Sequence, residues 1–122
     1  MKKIFFLAVL VLLPIYAYAA EINSGEKINI ESKQKNPIIF SNTAEVKSMI
    51  EGDLTVFSQK IKVDESIENS AYLFAGQVEV SKLIGNRLVI ASAESKINSE
   101  VKGDLIAVGS KVLIDSSAKI HG

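Results

Sequence analysis

From Ile50 onward, apolar and polar positions recur every 17 residues. Aligned blocks begin at Ile50, Ile67, Ile84 and Val101, and five of their columns are apolar. The first column holds those four residues. The fifth holds Leu54, Ala71, Leu88 and Leu105, and the seventh Val56, Leu73, Ile90 and Ala107. The twelfth holds Ile61, Val78, Ser95 and Val112, and the fourteenth Val63, Val80, Ile97 and Ile114. Apolar residues fill 19 of these 20 places, with Ser95 the exception. A 48% hydrophobic composition would fill about 10 by chance. Within a block the apolar positions alternate with polar ones, which is the period of a strand and not of a helix.

The polar columns mark corners. Column three reads Gly52, Asn69, Asn86, Gly103, residue types that reach positive φ at least cost. Column fifteen reads Asp64, Ser81, Asn98, Asp115, which is turn chemistry. Columns nine and ten are mostly small, as at Ala75-Gly76 and Gly109-Ser110. Each block therefore predicts two strands, at columns five to eight and twelve to fourteen, and a shorter edge at column one. An all-β fold follows: a single-stranded β-helix (β-solenoid) of 17-residue coils, four to five in number. A meander of hairpins in a β-sandwich has no reason to hold one register through four copies. The core coils cover residues 50–117. Upstream, Phe40 and Ser41 fit columns eight and nine, Ala44 and Val46 fit twelve and fourteen, and Pro37 takes column five. The solenoid domain is thus expected over 37–122. Residues 20–36 read as a polar lead-in, with a strand over 27–30, serving as an N-terminal cap or a disordered tail.

Residues 1–19 read as a signal peptide: basic Lys2 and Lys3, an apolar run over 4–13, then small Ala17 and Ala19 around Tyr18. The run is too short for a bilayer span, which needs roughly 20 residues. Export to the periplasm or cell surface follows, with no transmembrane span after cleavage. Loss of the two lysines leaves 12 basic against 14 acidic residues, a net charge of −2. That mixed surface argues against a nucleic-acid partner and against docking to anionic lipid. The chain has no cysteine, so disulfides play no part.

Residues 101–115 resemble a bactofilin coil, with Val101, Gly103, Asp104 and Leu105, then Ala107 and Gly109, then Val112, Ile114 and Asp115. Gly52-Asp53-Leu54 repeats the opening, whereas the middle coils carry Asn69-Ser70 and Asn86-Arg87 instead. The resemblance covers residues 50–122 and, faintly, 37–49. It implies a right-handed, three-faced β-helix that polymerises end to end without nucleotide. The signal peptide and the small number of coils depart from the cytoplasmic members. Signal-bearing relatives of this kind belong to the cell envelope.

Nothing in the chain assembles into a convincing catalytic or cofactor site. A left-handed acyltransferase helix repeats every six residues and needs a catalytic His, whereas the only His here is His121. Asp53 and Asp104 share a column but lie three coils apart, about 14 Å, too far to act on one glycosidic bond. Corner Asp residues are expected to cap turns. No cofactor and no metal are therefore expected.

One feature asks for a partner. If columns five and seven point inward, columns six and eight form an outward stripe that is apolar and aromatic in places. Phe57, Tyr72 and Phe74 are its expected centre, with Ile106 and Val108 beyond them. Residues 22–49 folding back over the stripe would remove the need for a partner. The expected role is an exported, non-catalytic structural solenoid that self-associates, laterally through the stripe or end to end through unpaired rungs. The rival is a surface module binding envelope polysaccharide or protein.

Overall fold

The computed structural model describes residues 21–122, and the expected signal peptide at 1–19 lies outside them. The elements are all strands: β1 (Glu21–Ile30), β2 (Gln34–Lys35), β3 (Pro37–Val46), β4 (Ile50–Glu51), β5 (Leu54–Phe57) and β6 (Lys60–Val63). They continue with β7 (Ala71–Val80), β8 (Leu88–Ile97), β9 (Glu100–Val101), β10 (Leu105–Val108), β11 (Lys111–Ile114) and β12 (Lys119–Ile120). Every pairing is parallel. The chain winds as a β-solenoid of about six turns, about 17 residues apart.

Register explains why the columns are apolar. Leu54 pairs with Ala71 and Ala71 with Leu88, while Val63 pairs with Val80 and Val80 with Ile97. Ile50, Ile67, Ile84 and Val101 meet through single parallel bridges, which is the short third edge. Equivalent side chains therefore stack directly above one another: the ladder from Ile50 to Val101 is buried throughout, and the other four are buried in all but their last members. Each fully buried Ile, Leu or Val contributes about 1.5–3 kcal/mol relative to exposure. Burial falls off at the last turn, where Leu105, Ala107 and Val112 are half-buried and Ile114 is exposed.

The segment expected as a lead-in is a turn of the solenoid in its own right. β1 pairs along its length with β3. Its interior is partly polar, and this is where it departs from the later turns. Asn23 stands beneath Ile39, and Gln34 beneath Ile50. Their amides exchange hydrogen bonds, Asn23 Nδ2 to Gln34 Oε1 at 2.8 Å and Gln34 Nε2 to Asn23 Oδ1 at 3.3 Å. The pairing satisfies polar groups that would otherwise be costly near the core.

The first corner is also one residue shorter. Gln34 pairs with Ile50 at an offset of 16, whereas Ile38 pairs with Thr55 at 17. Asn36 takes up the difference by turning at φ 47° in the left-handed region. Its N–H donates to Glu51 O at 2.8 Å.

The corner column behaves differently from expectation. Of its members only Gly52, at φ 79°, has positive φ among the described residues. The column is held by a backbone ladder instead: Asn69 N to Gly52 O, Asn86 N to Asn69 O and Gly103 N to Asn86 O, at 2.9, 2.9 and 2.7 Å. At Gly103 it is space that matters, because a Cβ there would come within 2.7 Å of Asn86 O.

Two substitutions test this packing. Ser95 is 1% exposed, and its hydroxyl has no hydrogen-bond partner among the described residues. Ser95→Val should raise unfolding stability by about 1–2 kcal/mol in chemical denaturation, since it removes an unpaired polar group and completes an apolar ladder. Gly52→Ala should lower stability by about 1–3 kcal/mol in the same assay, because Gly52 has positive φ and an added Cβ would strike the Asn36 amide.

Candidate functional site

Columns five and seven point inward, so the intervening columns six and eight of the same strands face out. Pairing aligns these outward columns across six rungs. Ile22, Ile38, Thr55, Tyr72, Val89 and Ile106 form one line. Ser24, Phe40, Phe57, Phe74, Ala91 and Val108 form the other. None of these 12 positions is charged. In a chain with 23% charged residues, about three would be expected.

The aromatic rings are ordered by the register. Phe40 and Phe57 stack with centroids 5.3 Å apart and planes 7° from parallel, and Phe57 and Phe74 at 5.0 Å and 12°. These distances are close to one rung, about 4.8 Å. The central ring of Phe57 is thus covered on both faces, yet the residue remains 43% exposed, because the stack presents its ring edges outward. Each such pair contributes about 0.5–1.5 kcal/mol beyond burial.

All five residues singled out from the sequence lie on this one face. Phe57, Ile106 and Val108 are exposed at 43%, 49% and 67%, and Tyr72 and Phe74 are half-buried. Residues 22–49 do not cover it. They extend it as further rungs, adding Ile22, Ile38 and Phe40, which were not among the named candidates. The signal was present, since Phe40 had already fallen in column eight of the degenerate copy.

The neighbouring long face has the opposite character. Its outward columns set Glu45 beside Lys62, Lys62 beside Glu79 and Glu79 beside Lys96, alternating in sign from rung to rung. Opposite charges on adjacent strands are mutually favourable and well hydrated. These residues line a groove of about 420 Å³. Lys47 Nζ lies 3.2 Å from Glu45 Oε2, and this contact holds the Glu45 carboxyl below its ordinary range.

The corner acids act on turns. Asp53 Oδ1 accepts from Ser70 N at 3.0 Å and from Asn69 Nδ2 at 2.8 Å. One rung below, Asn36 Oδ1 accepts from Asp53 N at 2.8 Å, and one rung above, Ser70 Oγ accepts from Arg87 N at 3.2 Å. A side chain of each turn thus holds the backbone of the next. Asp104 lies 3.7 Å from Arg87 Nη2. Asp115 accepts from Ser117 N and Oγ, which lowers its carboxyl from the ordinary value. His121 is exposed and sits 3.1 Å from Glu100 Oε1. Among the described residues no cluster of three His, Cys, Asp or Glu side chains could hold a metal. Among the described residues no helix is long and apolar enough to cross a membrane.

Fold and surface together define the class as a β-solenoid repeat protein with one apolar sheet face. No family model, no curated protein and no solved structure matches the chain.

Proposed function

We propose that the protein is an exported, non-catalytic structural solenoid of the cell envelope whose copies associate through the apolar face. The observation that carries this reading is the uncharged face itself, six rungs long, uncovered by any described segment and flanked by a face of alternating charge. Exposed apolar patches of this continuity mark interfaces on soluble proteins. The basic and apolar leader supports export. The bactofilin-like coils support a self-assembling role.

The ring geometry weighs against polysaccharide as the main occupant. A sugar packs on an exposed ring face, but the faces of Phe57 are taken by Phe40 and Phe74. What remains outward is a row of ring edges, which suits an apolar protein surface.

Sedimentation velocity of the purified protein should show a concentration-dependent rise in mass. Tyr72→Ser with Phe74→Ser should abolish that rise while far-UV circular dichroism stays β. A wild-type protein that stays monomeric up to millimolar concentration would sink the reading. So would a double variant that is folded and still associates like the wild type.

A further inference from the structure

The geometry points to a second copy of this chain, running antiparallel, as the occupant of the apolar face; this deepens the association reading and rests on it. Two identical sheet faces can be apposed about a two-fold axis in two ways. Running in the same direction, each rung meets the same rung of its partner, with the Ile22–Ile106 line of one copy over the Ser24–Val108 line of the other. Running antiparallel, the first rung meets the sixth, the second the fifth and the third the fourth, each line meeting its own counterpart.

Side-chain bulk decides between them. In the same-direction arrangement Tyr72 would meet Phe74 at one level, twice over by symmetry, while Val89 would meet only Ala91 at the next. The sheets would be forced apart at one rung and leave a gap at its neighbour, which close packing does not tolerate. In the antiparallel arrangement Phe40 faces Ala91 and Val108 faces Ser24, large against small. Thr55 faces Tyr72 and Ile38 faces Val89. Two pairs of large groups remain, Ile22 with Ile106 at the ends and Phe57 with Phe74 at the centre, the latter beside the small Thr55. Bulk then varies less from rung to rung than in the same-direction arrangement, which suits the roughly 10 Å packing of sandwiches.

The charge pattern agrees with a copy of this chain as partner. An uncharged face gives no handle to a charged partner, and apposing it to itself buries no unpaired charge. Its size sets the strength. Six rungs by four residues make about 24 Å by about 13 Å, or about 300 Å² per copy. A stable standard interface takes about 800 Å² per partner. The pair is therefore weak and concentration-dependent.

Spin labels read the direction. The chain has no cysteine, so Gln59→Cys and Ser110→Cys each give one label per copy at an exposed corner outside the face. Gln59 lies on the third described rung and Ser110 on the sixth. In the antiparallel pair, related Gln59 labels are offset by about one rung and related Ser110 labels by about five, some 24 Å along the axis. Double electron–electron resonance at high concentration should give a Ser110–Ser110 distance roughly 10 Å longer than the Gln59–Gln59 distance. Equal distances at the two sites would overturn the antiparallel arrangement while leaving association through the face intact. No dipolar interaction at either site, with a monomeric mass, would overturn the association reading itself. Distances that persist unchanged when Phe57→Asp is added would show pairing through another surface and overturn both.

Discussion

Parallel pairing at a 17-residue offset, 16 in the first turn, is the constraint on which the rest of the molecule depends. It places Ile over Ile and Leu over Ala inside the coil, so the core is a set of ladders rather than an interdigitated sandwich. The same offset stacks the corners, where a side chain of one turn caps the backbone of the next. Asn36, Asp53 and Ser70 do this in succession, each with different chemistry but with an oxygen in the same place. A turn that lost the offset would lose its core contacts and its corner hydrogen bonds together. That coupling lets a chain of this size hold together without disulfides.

The offset also writes the outer surface in columns. Residues of one outward column sit on adjacent rungs, so a face takes its chemistry from the run of types down its columns. Alternating Glu and Lys make one long face self-neutralising and hydrated. Phe, Tyr, Ile and Val make the other uncharged and largely apolar, and the rung spacing is close enough to ring-stacking distance that three Phe rings stack. The functional proposal rests on this contrast between two faces built by the same repeat.

Much of this was legible in the sequence because stacking leaves a periodic trace. The inward columns, the three edges and the outward position of Phe57, Tyr72, Phe74, Ile106 and Val108 all follow from period 2 within a period of 17. The first turn was harder to read for two physical reasons. It is one residue short at the Asn36 corner, which shifts the columns before it, and it replaces two apolar interior positions with Asn23 and Gln34, which looks like a linker. The meaning of column three was only partly visible. Gly and Asn suggested positive φ throughout, but the backbone ladder holds most of that corner at negative φ, and at Gly103 the small residue is there for room. The ring stacking of Phe40, Phe57 and Phe74 depends on side-chain orientation, which spacing alone does not specify.

The central claim is that the apolar face, and not its charged neighbour, is where the molecule meets its partner. Carbon-detected and methyl nuclear magnetic resonance of the aromatic and aliphatic side chains, followed across a dilution series, tests it residue by residue. The account predicts concentration-dependent shifts at Ile38, Phe57, Phe74, Val89 and Ile106, with the interior ladder of Ile50, Ile67 and Ile84 unmoved. Shifts confined to the face carrying Lys62 and Glu79, or signals that do not move with concentration anywhere, would contradict it.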